Sequence, residues 1–186
     1  MGSFPSGFQK FSLEGLASDR DFTSPHAPTV DGGSVDLRAA PASPNSGDHT
    51  TSLMDRSRRL AWVTALHPGR RLILGYVFRT AEYPWVQNWE SYPPTRKLAR
   101  GLEFGTQPFD VPRREAVDNA ARERFGASWY RWLPAKSKIQ SRFLLFYARS
   151  PEGMTQVEDV RVEKGVIVIS GAGKSLRLRA SLSDEL

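Results

Sequence analysis

The sequence predicts a mainly β protein: an antiparallel β-sandwich with one short helix. Short apolar or alternating segments recur from residue 60 onward, turn residues separate them at close intervals, and only one segment carries helical end signals. Many short strands joined by turns rich in Gly and Pro are typical of sandwiches. At 186 residues the chain is long enough to bury the core of one domain.

Residues 1–50 are rich in Gly, Ser, Pro and Asp, which predicts an extended, partly disordered segment. Pro25–Pro28 and Pro41–Pro44 disfavour helix because proline fixes φ and lacks an N–H donor. A short strand is expected at Ser34–Leu37. The predicted organisation is therefore an N-terminal segment over 1–50, a β-sandwich over 51–180 and a tail over 181–186.

The strands of the sandwich begin with a hairpin, in which Leu60–Leu66 and Arg71–Arg79 flank the turn His67–Arg70. A helix is predicted from Pro112 to Arg124, since Asp110 precedes it and Gly126 ends it. The other segments predicted to be strands are Tyr83–Trp89, Arg100–Gly105, Trp129–Leu133, Ile139–Arg149, Val157–Val162, Val166–Ile169 and Leu176–Ala180.

Composition argues against several classes of protein. Cysteine is absent and His26, His49 and His67 lie far apart, so we predict no disulfide, no metal site and no cofactor. No apolar run approaches the roughly 18 residues that span a bilayer, so no membrane association is predicted. The N-terminus lacks the apolar stretch of a signal peptide, which predicts a cytoplasmic protein.

The net charge of +6 is distributed unevenly. Residues 1–50 hold three basic and six acidic residues, whereas residues 51–186 hold 23 basic and 14 acidic ones. An anionic partner is one interpretation. The favoured one is ordinary solvated charge in turns and on helix surfaces, and no nucleic acid binding is predicted because no basic helix or stacking motif is present.

The segment Ser170–Ser175 has the sequence Ser-Gly-Ala-Gly-Lys-Ser, which is reminiscent of a phosphate-binding loop. That motif needs a glycine five residues before Gly173, and the residue there is Val168. We therefore predict an ordinary β-turn in which glycine adopts positive φ.

Five tryptophans are many for this length. Tryptophan either buries a large area in the core or stacks its face on a ligand such as a sugar. Trp62 and Trp132 are predicted to lie in the core. Trp85 and Trp89, which flank a proline-rich loop, are predicted to line a ligand site.

Glu103 lies in the short apolar strand that ends at Gly105, with Gln107 just beyond it. A carboxylate among apolar side chains costs free energy unless it is paired or its pKa rises. A structural salt bridge to Arg100 or Arg79 is one alternative. The other is a general base with a raised pKa, suited to taking a proton from a sugar hydroxyl.

Asp48 and His49 lie in a segment predicted to be a polar loop. They are interpreted either as an exposed surface pair or as groups that hydrogen-bond sugar hydroxyls.

The stretch Gly101-Leu102-Glu103, followed by Gln107 and Asp110, resembles the segment that carries the catalytic glutamate in the galactose mutarotase-like (aldose 1-epimerase) superfamily. Asp48-His49 lies 55 residues upstream of Glu103, similar to the position of an Asp-His pair in that family. The resemblance extends over about residues 25–169, including Leu74–Arg79 and Tyr130–Pro134, and a set of uncharacterised bacterial members looks more similar still.

The resemblance implies a large β-sandwich (a supersandwich) that binds a sugar in a cleft and interconverts its anomers. Glu103 would be the catalytic base. The substrate-binding residues would be Asp48, His49, Arg79, Trp85, Trp89 and Gln107. The family's catalytic histidine has no match here, so the chain is expected to be the C-terminal portion of an incomplete domain. The alternative function is a non-catalytic β-sandwich interaction module using Trp85, Trp89 and basic residues.

Overall fold

The computed structural model describes residues 6–12, 16–17, 20–39, 47–92, 99–118, 125–180 and 186. In these ranges the chain forms β-strands, one α-helix, α1 (Arg113–Asp118), and one turn of 3-10 helix at Pro68–Arg70. The strands are β1 (Ser6–Ser12), β2 (Asp21–Phe22), β3 (His26–Pro28), β4 (Ser34–Asp36), β5 (Gly47–Leu53), β6 (Leu60–His67), β7 (Leu72–Arg79), β8 (Trp85–Ser91), β9 (Ala99–Gly105), β10 (Phe143–Arg149), β11 (Asp159–Glu163), β12 (Val166–Gly171) and β13 (Lys174–Arg179).

All of the described strand pairings are antiparallel, and no sheet closes into a barrel. The predicted fold class, mainly β and antiparallel with one short helix, is therefore confirmed. The chain divides into two compact units. The first contains Ser57–Ala81 and Gln140–Leu186, and the second contains Ser3–Arg56 and Glu82–Ile139.

The first unit is a small sandwich of two three-stranded sheets. One sheet has the order β10-β7-β6 and the other has the order β11-β12-β13. A single apolar cluster joins them, with Trp62, Ile73 and Phe146 from the first sheet and Val160 and Ile169 from the second. Trp62 is 3% exposed, which confirms its predicted place in the core.

Two-residue loops close both hairpins of the second sheet. Lys164 and Gly165 join β11 to β12 with φ of 37° and 78°, and Ala172 and Gly173 join β12 to β13 with φ of 49° and 69°. Positive φ at both central positions is what a type I′ hairpin turn requires. The glycine-rich Ser170–Ser175 segment is thus a hairpin turn, as predicted.

The second unit is built on a five-stranded sheet of order β2-β1-β5-β8-β9, with β3 and β4 forming a separate hairpin. Strand β8 lies between β5 and β9. Because successive side chains of a strand point to opposite faces, Trp85, Gln87 and Trp89 share one face. Asn88 and Glu90 lie on the other.

The face that carries Asn88 and Glu90 is polar and buried. Arg100 of β9 lies directly opposite Glu90, with its Nε 3.3 Å from Glu90 Oε1, and it also donates to Asn88 Oδ1 at 2.5 Å. Asn88 in turn donates to Glu90 Oε1 at 3.0 Å. Arg100 further donates to the carbonyl oxygens of Leu37 and Ala39. One guanidinium therefore joins the sheet to the segment that follows β4.

Three predicted elements differ from the structure. The strand predicted over Ile139–Arg149 begins only at Phe143. Trp129–Leu133 forms no strand, because the Ser128 hydroxyl donates to Tyr130 O at 2.8 Å and so competes with strand pairing. Trp132 is 66% exposed, so its predicted place in the core is wrong. The helix predicted from Pro112 to Arg124 is observed as Arg113–Asp118, and residues 119–124 lie outside the described residues.

The close contact at Gly75 gives a stability prediction. A Cβ at this position would lie 2.3 Å from Phe146 Cζ and 2.8 Å from Thr64 Cγ2, so Gly75→Ala forces the core ring to move. Overpacking of this kind costs about 1–3 kcal/mol of unfolding free energy, measurable by urea denaturation. In the control Gly69→Ala, in the same unit, the nearest atom is 3.6 Å away, and a change within about 0.5 kcal/mol is expected. Equal losses of unfolding free energy in Gly75→Ala and Gly69→Ala would contradict the close contact between Gly75 and Phe146.

Tyr92 gives a pH prediction. Burial raises the pKa of its phenol, the nearby Glu90 carboxylate raises the pKa further and Arg100 opposes the rise. The folded chain therefore holds this proton more tightly than the unfolded chain. Its contribution to stability is complete below the ordinary tyrosine value of about 10 and is lost as the pH rises through the folded pKa.

The test is the urea midpoint measured as pH increases above about 10. The midpoint of the unaltered protein should fall as the pH rises. Tyr92→Phe should reduce this fall, because that variant has no phenol at position 92 to ionise. Tyr147→Phe, which alters a 67% exposed tyrosine, should leave the decline unchanged. A decline that is unaltered in Tyr92→Phe would show that Tyr92 is not its source.

Candidate functional site

One face of the five-stranded sheet brings together four of the residues predicted to form a site. His49 of β5 lies directly opposite Trp89 of β8, and Glu103 of β9 lies opposite Gln87 of β8. Paired residues in antiparallel strands point to the same face, so His49, Trp89 and Glu103 are neighbours there. Gln107 follows β9 and contributes its backbone carbonyl.

A chain of hydrogen bonds orients the polar groups on this face. Gln87 donates through Nε2 to Gln107 O at 3.2 Å, which leaves its Oε1 to accept. His49 Nε2 lies 2.7 Å from that Oε1, so His49 carries its proton on Nε2 and donates it to Gln87. The His49 ring also meets Phe109 edge to face, with the ring centroids 6.0 Å apart. The imidazole is thereby held in one orientation beside Trp89.

Gly101 lies beside both the aromatic and the acidic side chain of this face. A Cβ placed on Gly101 would be 3.1 Å from Glu103 Oε1 and 3.8 Å from Trp89 Cε3. The carboxylate and the indole therefore both border the space that a side chain at position 101 would fill. Trp89 is 43% exposed and Glu103 is also exposed, so both are accessible to a ligand. We call Trp89, Gly101 and Glu103, with His49 and Gln87, the Trp89 face.

The apolar surroundings expected for Glu103 are not observed. Its sequence neighbours Leu102 and Phe104 point to the opposite face of the sheet, because side chains alternate along a strand. Among the described residues Glu103 forms no ion pair, so the predicted alternatives of a salt bridge to Arg100 or Arg79 are not seen. Arg100 instead binds Glu90 on the other face.

Asp48 is separated from the Trp89 face, so it does not form a site together with His49. Both residues lie in β5 rather than in a loop, and consecutive residues of a strand point to opposite sides. Asp48 is 1% exposed on the polar face, directly opposite Glu90. Pairing with β1 and β8 makes this polar stretch a strand, a long-range effect that its composition does not reveal.

Two further predicted residues lie elsewhere. Trp85 is fully buried among Leu53, Phe125 and Ala127, and its Nε1 donates to Ser128 O at 2.9 Å. It is therefore a core residue and not a ligand-lining one, because the segment after α1 covers this end of β8. Arg79 ends β7 in the first unit, whereas the Trp89 face belongs to the second.

Sequence reasoning missed Gln87 and Gly101. Gln87 could have been found from alternation, since it lies two residues from both Trp85 and Trp89 in a segment predicted to be a strand. Gly101 could not, because its importance depends on lying opposite Trp89, and that register is set by pairing between strands.

Among the described residues no group of three or more His, Asp or Glu side chains is placed to hold a metal ion. In the same residues no helix has the length and apolar character needed to cross a membrane.

Comparisons of the chain with protein-family models, with curated proteins and with solved structures found no match. The site is therefore interpreted from its own geometry.

Proposed function

We propose that this protein binds a carbohydrate on the Trp89 face, as a mutarotase-like sugar-binding protein. The observation that carries the proposal is that the half-exposed Trp89 indole and the exposed Glu103 carboxylate share one face and both lie beside Gly101. An indole face packs against the C–H face of a pyranose, and a carboxylate accepts hydrogen bonds from its hydroxyls. An apolar platform with a few fixed polar groups is typical of small-ligand sites.

The orientation of His49 and Gln87 supports this proposal. Each Gln87 amide atom already has a partner, so the glutamine is fixed in place before any ligand arrives. Polar groups that are fixed in advance lose little conformational entropy on binding. A sugar on the Trp89 face would thus meet a rigid surface.

The catalytic activity proposed for the same face is interconversion of the anomers of the bound sugar. Glu103 would take the proton of the anomeric hydroxyl as general base, and a group that donates to the ring oxygen would open the ring. His49 is the candidate for that acid, since it lies on the same face, and its Nε2–H would exchange its hydrogen bond to Gln87 Oε1 for one to the ring oxygen.

A non-catalytic interaction module is the second candidate function. It is favoured by the exposed segment 131–140, in which Trp132 and Leu133 are 66% and 51% exposed and Arg131, Lys136 and Lys138 supply positive charge. Tryptophan and arginine are enriched where proteins bind one another. A partner held there would depend on Trp132, not on Trp89.

Loss of the Trp89 indole is expected to weaken sugar binding. In calorimetric titrations with D-glucose, D-galactose and their oligosaccharides, Trp89→Ala should lower the affinity about two- to tenfold, since an aromatic contact contributes about 0.5–1.5 kcal/mol. Trp132→Ala removes a more exposed indole from the same unit and should leave the affinity unchanged. Absence of binding by the unaltered protein to every sugar tested would remove the carbohydrate proposal.

Binding and catalysis can be separated at Glu103. Glu103→Gln keeps the shape and a hydrogen-bond acceptor but loses the base, so it should retain sugar affinity within about threefold while losing catalysed mutarotation by 10²-fold or more. The rate is followed by polarimetry on freshly dissolved α-D-glucose and α-D-galactose. Glu152→Gln alters an exposed glutamate of the first unit and should change neither quantity. If the unaltered protein binds sugar without accelerating mutarotation, the function is binding alone.

A further inference from the structure

The strand β10 exposes an apolar row at the edge of its sheet. Phe143, Leu145 and Tyr147 alternate along it and are 49%, 58% and 67% exposed. On the same face, the neighbouring strand β7 adds Leu74, 37% exposed, opposite Tyr147. In the described part of the chain β10 pairs only with β7, which makes it an edge strand of its sheet.

The edges of the other sheet in this unit differ in character. β11 carries Asp159, Arg161 and Glu163 on its outer face, and β13 carries Arg177 and Arg179. Charged side chains on an edge strand discourage pairing with another chain, whereas a long apolar edge favours it. Within one small sandwich, β10 lacks the protection that β11 and β13 have.

We propose that β10 pairs with β10 of a second copy of this chain, in antiparallel fashion about a two-fold axis at Phe146. Phe146 is the midpoint of Phe143–Arg149, so this register pairs all seven residues of the strand. A symmetric dimer uses the same patch on both copies, and the patch must therefore complement itself. The proposal does not depend on carbohydrate binding.

The row complements itself in this register. Leu145 of each copy faces Tyr147 of the other, which is a favourable aromatic–aliphatic cross-strand pair. Phe143 faces Arg149, which places a guanidinium against an aromatic ring. No residue of the outer row meets a like charge. The two three-stranded sheets become one continuous six-stranded sheet, joined by new backbone hydrogen bonds between the two copies of β10.

Charge on the unit opposes the dimer and makes it salt-dependent. The first unit holds twelve basic and six acidic residues, so its net charge of +6 equals that of the whole chain. Two such units repel one another, and salt screens the repulsion. The dimer fraction should therefore rise with salt, because the contact between the edges is apolar.

Light scattering on the full chain after size exclusion tests the proposal. At about 1 M salt, where the Debye length is about 3 Å, the unaltered protein should have twice the monomer mass, and the dimer fraction should fall at low salt. Leu145→Lys and Tyr147→Lys should each be monomeric at the same concentration, while circular dichroism shows that both remain folded. Val30→Lys, which alters a 72% exposed apolar residue of the second unit, should remain dimeric.

The register has its own test, because the chain has no cysteine. An equal mixture of Leu145→Cys and Tyr147→Cys chains should form more disulfide-linked dimer on oxidation than either chain alone, since positions 145 and 147 face each other between copies. A monomeric mass at every salt and protein concentration would overturn the proposal, as would a dimer that persists in both lysine variants. A dimer without preferential cross-linking in the mixture would overturn the register.

Discussion

The arrangement of the second unit depends on the position of β8 between β5 and β9. Arg100 must lie opposite Glu90 for the buried carboxylate to be paired, and the same register places Glu103 opposite Gln87. A slip of one residue between β8 and β9 would place Arg100 and Glu90 on opposite faces, and it would separate Glu103 from Trp89 in the same way. A buried carboxylate without its partner costs several kcal/mol, so this slip is strongly disfavoured. The ion pair on one face thus determines which side chains the opposite face presents.

Arg100 extends this constraint to the N-terminal part of the chain. Its donations to Leu37 and Ala39 hold the segment after β4 against the polar face. The β3–β4 hairpin packs its own small cluster, with Leu16, Ala27 and Leu37 buried. The first fifty residues thereby contribute strands and buried side chains to the unit. The Trp89 face stays open in part because the covering segments reach Trp85 and His49 but leave Trp89 half exposed.

Local signals in the sequence were sufficient for much of the fold. The β6–β7 hairpin and the turns at Gly165 and Gly173 follow from turn chemistry and alternation, and each is observed near its predicted place. The site was harder to predict because it depends on pairing between distant strands. The sequence predicts Asp48 and His49 as neighbours in a loop, whereas in strand β5 their side chains point to opposite faces. Trp132 is exposed although it is predicted in the core, and Trp85 is buried although it is predicted to line a ligand site. Neither outcome follows from the local sequence, because burial depends on which segment covers each residue.

The register of β8 is the claim on which the site depends most directly, and backbone nuclear Overhauser effects measure it. Cross-strand contacts are expected from residue 87 to residues 51 and 103, and from residue 89 to residues 49 and 101, as amide–amide or Hα–Hα pairs according to their place in the ladder. Contacts that instead align residue 87 directly with residue 102 or 104 would contradict this register. Glu103 and Trp89 would then lie on opposite faces, and the proposed sugar site would not exist.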